Sequence, residues 1–336
     1  MFLMMRHDGS VGEVIRFGAG TPGMGSLFQA GDRFSAAMAV LGDLDGNGGM
    51  EVAVAAPGRR YLFLLSLSPR SALSPSPEVA SVISHQFAYP AESLAAIGDL
   101  DQDGVPDLAV GHPSAAMGCT NECGSLEILN FNADGTLKAA TMLGNGSLGQ
   151  SVLASGDRFG ASLAHLGHLY GSSSTVELAV GVPGRDSTGR GGVYIVSLTS
   201  QSSGSIQMVI DTGTSRFPTS SVTLMSLGNS VAALGDLDDD GDPELAIGAS
   251  KSGSQAQGAV VIVRLSAQPG FIEGGVVIEE GQLPAGVTGD STRLGRSLAG
   301  SDIDGDGVYE VWAGAEEDES NGSTGDGVLW QLHLAD

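Results

Sequence analysis

The segment Asp99 to Gly111, DLDQDGVPDLAVG, recurs at three other places with its internal spacing unchanged. Asp99, Asp101 and Asp103 alternate, Gly104 follows, and Asp107 stands at the ninth position. Alternation lets side-chain oxygens converge on one point, the glycine permits the positive φ of a sharp turn, and the ninth-position acid closes the far side. Hard cations take such an all-oxygen cage, so the segment reads as a calcium loop. Leu108-Ala109-Val110 behind it is a short apolar run of the kind that forms a buried strand.

The other copies lay over this one without gaps. Asp43, Asp45, Asn47, Gly48 and Glu51 precede Val52-Ala53-Val54; Asp236, Asp238, Asp240, Gly241 and Glu244 precede Leu245-Ala246-Ile247; Asp302, Asp304, Asp306, Gly307 and Glu310 precede Val311-Trp312-Ala313. The seventh residues of the loops, Gly49, Val105, Asp242 and Val308, complete the candidate ligand sets. One acidic, glycine-rich turn is weak evidence, because such turns are common on surfaces. Four copies sharing a ninth-position acid and a strand behind it are strong evidence.

The formal charge of −24 follows largely from this ligand supply, since the four loops hold 17 of the 39 acidic residues. Four bound calcium ions would leave −16, a balance that repels nucleic acid and anionic membrane. With 336 residues and 41% hydrophobic content the chain has ample material for a core. Its 52 glycines suit turns and short strands, and helical periodicity is hard to find. No window has the apolar length of a membrane span, and Met1 to Met5 is too short for a signal core, so membrane insertion is not expected.

The loop starts fall at 43, 99, 236 and 302, and a fifth unit fills the long gap. Asp157-Arg158-Phe159-Gly160-Ala161-Ser162-Leu163-Ala164-His165-Leu166-Gly167-His168 matches Asp32-Arg33-Phe34-Ser35-Ala36-Ala37-Met38-Ala39-Val40-Leu41-Gly42-Asp43. Its loop, beginning at His168, has lost every Asp and gained a residue, so the hairpin is expected to persist without metal. Successive starts are then 56, 69, 68 and 66 residues apart. Each unit carries four strand signals, in the second unit Ser93 to Leu100, Asp107 to Gly111, Ser125 to Phe131 and Leu137 to Leu143. Four short antiparallel strands at this period describe the blades of an all-β propeller, here five, in one domain over 1–336 with repeats at about 32–84, 85–147, 155–211, 214–280 and 290–334.

The residues around the loops resemble a known family. Phe34, or Phe159-Gly160, before the first strand, and Ala55-Ala56-Pro57-Gly58, Gly111-His112-Pro113, Gly181-Val182-Pro183-Gly184 and Gly248-Ala249-Ser250 after the second, are similar to the FG-GAP repeats of integrin α-subunit propellers and their bacterial relatives. The resemblance implies that the four Asp-rich loops hold calcium between the first two strands of their blades. The chain departs from the integrin pattern of seven blades and in its bare third loop.

The ends suggest how the last blade is completed. Gly12 to Phe17 aligns with the outermost strands Leu137 to Leu143 and Gly275 to Glu279, while Gly327 to Leu334 matches third strands such as Gly192 to Leu198. A strand at 12–17 is therefore expected to close the fifth blade, within the chain or, in the alternative, on a neighbouring copy to build an extracellular filament. Cys119 and Cys123 sit in one loop, where a local disulfide is expected in an oxidising compartment and zinc lacks two further ligands. Asn145 and Asn321 stand in glycosylation acceptor patterns.

No nucleophile motif, phosphate loop or HExxH pattern occurs. His165 and His168 point to opposite faces of a strand, Arg185-Asp186-Ser187 reads as a solvated turn, and Glu316-Glu317-Asp318-Glu319 as an exposed acidic loop. A propeller glycosidase would need an unrepeated carboxylate pair about 5–10 Å apart, for which Glu92 and Asp290 are the candidates. A lectin would need equivalent aromatic platforms, whereas Tyr61, Tyr89, Tyr170 and Trp312 fall at unlike places in their units. The expected function is therefore a non-catalytic extracellular adhesion or scaffold module holding about four calcium ions. Its partners would be an extracellular protein or glycan, or copies of itself, and calcium affinity would match extracellular levels of roughly 0.1–1 mM.

Overall fold

In the computed structural model, the described residues are 2–5, 11–15, 27–67, 79–149, 153–186, 188–254, 256–279, 282–283, 292–302, 309–315 and 327–332. Every named element is a strand, as the β-branched and apolar runs between glycine-rich turns require. An N-terminal hairpin of β1 (Phe2–Met5) and β2 (Val11–Ile15) precedes five antiparallel sheets.

Blade 1 contains β3 (Met38–Gly42), β4 (Met50–Ala56), β5 (Tyr61–Leu67) and β6 (Val79–Gln86). Blade 2 contains β7 (Ser93–Gly98), β8 (Asp107–His112), β9 (Ser125–Phe131) and β10 (Leu137–Leu143). Blade 3 runs through β11 (Leu163–Gly167), β12 (Thr175–Gly181), β13 (Val193–Thr199) and β14 (Gly204–Ile210). Blade 4 follows with β15 (Leu227–Ala233), β16 (Glu244–Ala249), β17 (Ala259–Leu265) and β18 (Ile272–Glu279). Blade 5 has β19 (Ser297–Ser301), β20 (Glu310–Ala315) and β21 (Val328–Leu332), three strands among the described residues. The fold is a five-bladed all-β propeller in which the innermost strands β3, β7, β11, β15 and β19 neighbour one another in order.

The second strands read as continuous apolar runs because they are covered on both faces. All six residues of β8 and of β16 are buried. The faces of neighbouring blades meet in separate apolar clusters. Val110 and Leu108 of blade 2 pack with Leu62 and Leu64 of blade 1; Leu126 and Ile128 pack with Leu178 and Val180 of blade 3. Ile195 and Val193 pack with Ile247 and Leu245 of blade 4, and Val260 and Ile262 with Val311 and Ala313 of blade 5. The outermost strands meet solvent, as at Lys138, Ala139 and Ala140 of β10.

A repeated latch joins successive blades. The Oγ of Ser93, Ser162 and Ser230 donates to the carbonyl of Gly160, Gly228 and Gly295 in the next blade, at 2.7, 2.9 and 2.7 Å. Those carbonyls approach Gly111, Gly181 and Gly248 so closely that a Cβ there would lie 2.0–2.1 Å from the oxygen. Only glycine fits this position in blades 2, 3 and 4, which accounts for Gly111, Gly181 and Gly248 at the ends of their second strands, whereas blade 1 has Ala55 at the equivalent place.

The N-terminal strand departs from expectation. Residues 11–15 pair with β1 in a separate two-stranded sheet, with Phe2 opposite Ile15, and no pairing with β21 is seen among the described residues. A neighbour only a short loop away satisfies the strand's hydrogen bonds at lower loop-closure cost than a partner at the far end of the chain. Closure of the last blade by this strand is therefore not observed.

Candidate metal centres

Among the described residues, the Asp-rich loops of blades 1, 2 and 4 are wound by their own side chains, which accept backbone N–H groups and so fix the loop before any ion is considered. In blade 2, Asp99 accepts from the amides of Asp103 at 3.0 Å and Gly104 at 2.8 Å, and Asp103 Oδ1 from Val105 at 2.9 Å. Blade 4 repeats this with Asp236 and Asp240, which accept from Asp240, Gly241 and Asp242. In blade 1, Asp43 accepts from Gly48 and Asp45 from Asn47, while Asn47 Oδ1 accepts from Gly49. The ninth-position acid stands at the start of the buried second strand and accepts the amide of the loop's second residue: Leu44 to Glu51, Leu100 to Asp107 and Leu237 to Glu244, at 2.7, 2.8 and 2.6 Å.

This winding brings three carboxylates together in each of three blades. Asp43, Asp45 and Glu51, then Asp99, Asp101 and Asp107, then Asp236, Asp238 and Glu244 each place one oxygen apiece within 4.8 Å of the others. Asp103, Asp240 and Asn47 stand beside these trios, bound to the loop backbone as above. Asp302 and Glu310 of blade 5 are described, whereas Asp304, Asp306 and Val308 lie outside the described residues.

In blade 1 both oxygens of Glu51 are partnered, by Leu44 N and Ser66 Oγ, whereas blades 2 and 4 leave trio oxygens without partners. Asp101 Oδ1, Asp107 Oδ1 and Glu244 Oε1 are buried and without a hydrogen bond. Burial pushes the Asp107 carboxyl up to about 6, with nearby Asp101 adding to it. Burial, together with the charges of Asp238, Asp240 and Asp236, pushes Glu244 up to about 7. Buried, mutually repelling, all-oxygen trios are what a divalent hard cation relieves, so the residues present fit calcium.

The third loop is built differently. His168 lies just past β11, and its Nδ1 donates to Thr175 O at 2.5 Å. Gly171 N donates to His168 O at 2.8 Å. Glu177, equivalent to Asp107, accepts from Ser197 Oγ at 2.8 Å and from Tyr170 N at 3.4 Å, so each of its oxygens has a partner.

The sequence reading missed the residues that reach these acids from neighbouring strands. The cross-strand neighbour of the ninth-position acid is Ser66 in blade 1, Ser197 in blade 3 and Arg264 in blade 4. Ser66 Oγ donates to Glu51 at 2.6 Å, and Arg264 pairs with Asp238 at 3.4 Å. In blade 2, Lys138 of β10 reaches across to Asp101 at 2.8 Å and to Asp103. Which residues do so follows only from the register between strands.

Other candidate residues have local roles. Cys119 and Cys123 are joined as a disulfide, with Cα atoms 6.2 Å apart. Asn145 Nδ2 donates to the carbonyls of Gly118 and Leu153 at 3.1 and 3.0 Å, bonds that a glycan on this nitrogen would displace. Arg185 pairs with Asp211, and Asp186 accepts from Thr188 within its own turn. Glu92 pairs with Arg158 of the next blade at 3.6 Å, and Asp290, Asn321 and the 316–319 acids lie outside the described residues. Tyr61 lies under the Arg59 guanidinium and Tyr170 is half-buried near Glu177, so these aromatics share no common setting.

Residues 227–263, spanning the blade 4 loop, match the FG-GAP repeat family. The chain is similar to integrin alpha-X of Mus musculus, at 36% identity over 108 residues, and to integrin alpha-X of Homo sapiens, at 41% over 86 residues. These alignments cover 27% and 24% of this chain but only 9% and 7% of the relatives, so the chain spans less than a tenth of their length. Integrin alpha-D of Homo sapiens matches at 38% identity over 86 residues. Among solved structures, the BBS1N chain crystallised in complex with ARL6DN aligns over 82% of this chain and 75% of its own, at 12% identity and a TM-score of 0.41. Among the described residues no helix is long and apolar enough to cross a membrane.

Proposed function

We propose that this chain is a calcium-stabilised extracellular adhesion or scaffold module, non-catalytic, that engages a protein ligand through its surface loops. The observation that carries this reading is the repetition of an orphaned, inward-facing carboxylate oxygen at the same place in different blades, at Asp107 and Glu244. A fold alone does not choose a function, but similarity to integrin α-subunits supports adhesion over catalysis, and the Cys119–Cys123 bridge suits an oxidising exterior. Calcium supplies positive charge that neutralises the trios. The chain's own residues wind the loops, and each ninth-position acid ties its loop to the blade.

The test has two parts. Equilibrium dialysis against calcium should give about four ions per chain at affinities of roughly 0.1–1 mM. Surfaces coated with the protein should then hold cells in calcium and release them on chelation. A chain that binds no calcium would remove the metal from the proposal, and calcium-replete protein that holds no cells would remove adhesion.

A further inference from the structure

The basic residues of this acidic chain are gathered at one end of its blades. Antiparallel pairing puts the Asp loops, which join first and second strands, at one end, and the connections leading into first and third strands at the other. Of the twelve Lys and Arg among the described residues, Lys138 and Arg264 stand on strands, and the other ten lie in the connections at the end away from the Asp loops. Arg59, Arg158 and Arg185 are paired there with Asp32, Glu92 and Asp211. Arg190, Arg216 and Lys251 are exposed and pair with no carboxylate among the described residues.

These three cations belong to one connection and the two turns beside it. Residues 211–226, between β14 and β15, make a link of sixteen residues, against six for 87–92 between β6 and β7. A link of that length without strands or helices of its own is uncommon in a packed domain and commonly carries binding. This one is held in place on several sides. Thr214 Oγ1 donates to Val209 O at 3.1 Å, Ser221 N to Glu279 Oε1 at 2.8 Å, and Ser226 N to Gly189 O at 2.9 Å, while Thr223 O accepts from Gly253 N at 3.2 Å. Phe217 and Val222 rest on the apolar cluster shared by blades 3 and 4.

Between this link and the Arg190 turn lies a cleft of about 360 Å³, at the small end of the range for ligand sites. Arg190, Phe217, Thr212, Thr219 and Thr223 line it, and the three threonine hydroxyls make no hydrogen bond among the described residues. No carboxylate lines the cleft, although the chain holds 39 acidic residues. The nearby Glu279 lines a neighbouring cleft, and its oxygens are taken by Ser220 and Ser221.

A guanidinium fork takes a carboxylate through two parallel hydrogen bonds, free hydroxyls take other hydroxyls, and an aromatic ring takes the C–H face of a sugar ring. We propose that this cleft binds a carboxylated sugar residue, a uronic or a sialic acid, with Arg190 on its carboxylate, the threonine hydroxyls on its ring hydroxyls and Phe217 under its apolar face. The surrounding cations raise the local concentration of such an anion against the repulsion of the rest of the chain. The site is built once, not blade by blade, and it stands apart from the metal centres at the other end of the blades.

The test is NMR titration of the full chain in calcium with four probes: sialyllactose, a disaccharide containing glucuronic acid, lactose, and a tripeptide containing glutamate. At least one of the two carboxylated sugars should bind saturably, with a Kd of roughly 1 mM or tighter. Lactose and the tripeptide should bind about tenfold more weakly or not at all. Arg190→Ala should weaken the carboxylated sugar about tenfold, and Thr223→Val by a few-fold, whereas Arg60→Ala, at another turn of the same face, should change nothing. Both cleft substitutions fall at exposed side chains that make no bond within the fold, and circular dichroism checks that each variant is folded. Failure of both carboxylated sugars to saturate, equal binding of lactose or of the tripeptide, or equal losses for Arg60→Ala and Arg190→Ala would each overturn the proposal, the last by reducing it to attraction between charges.

Discussion

The loops of blades 2 and 3 occupy the same place in the same hairpin and answer the same problem in opposite ways. Both set a carboxylate at the start of the buried second strand. In blade 3, Glu177 is satisfied on each oxygen by Ser197 and Tyr170, and the loop closes through His168 and Thr175. In blade 2, Asp107 Oδ2 takes the amides of Leu100 and Asp101 while Oδ1 is buried without a hydrogen bond, beside Asn130. The hairpin geometry is therefore shared by a loop with an Asp trio and one without, and the electrostatic demand comes from the side chains placed inside the loop. On the proposed reading, calcium would offset that local cost and would not template the blade.

The largest effect that would break this comparison is removal of calcium from the whole chain. Chelation should lower the melting temperature by several degrees, since each site held at ten times its Kd contributes about 1.4 kcal/mol. Hydrogen exchange should show where that loss falls: the amides of 99–107 and 236–244 should exchange faster in chelator, and those of 168–177 should not. Equal acceleration in all of these loops would mean that the ion acts on the fold globally.

Two single substitutions sharpen it. Glu177→Ala leaves the Ser197 hydroxyl and the Tyr170 amide unpaired and should cost about 1–3 kcal/mol, the same in calcium and in chelator. Asp107→Asn should cost about 1–2 kcal/mol in calcium, together with one bound ion, and nothing or less in chelator, because the neutral amide removes a buried charge that has no counter-ion. Denaturant unfolding with and without calcium reads both. A calcium-dependent loss for Glu177→Ala would show that blade 3 holds metal after all.

Much of this was legible in the chain because it is local. The alternation Asp99, Asp101, Asp103 and the glycine after it dictate the loop, and the strands Ser125–Phe131 and Leu137–Leu143 fall where the apolar periodicity puts them. The loss of the Asp trio in blade 3 was also local, since His168 and its neighbours offer no carboxylate before Glu177. What escaped was set by pairing between distant segments. Ser66 and Ser197 matter only because register places them opposite Glu51 and Glu177. The fate of residues 11–15 depended on a choice among several similar apolar strands, and periodicity does not rank partners.

The smallest effect belongs to Lys138, a cation that reaches the blade 2 loop from the outer strand of its own blade. Lys138 projects from β10 and pairs with Asp101 and Asp103, and that pairing raises its own pKa above the ordinary lysine value. A tethered ammonium at this place competes with calcium for two of the loop's carboxylates while keeping the ion-free loop from flying apart. Lys138→Ala should therefore tighten calcium at blade 2 by at most a few-fold, because the pair is solvent-exposed and screened by salt. The same substitution should make the ion-free protein slightly less stable, so the gap between melting temperatures with and without calcium widens from both sides. Calorimetric titration at low and at physiological salt measures the first effect, and the gain should shrink as salt rises. An unchanged affinity at low salt would mean that Lys138 swings clear of the loop in solution and that the blade 2 site answers to its own five positions alone.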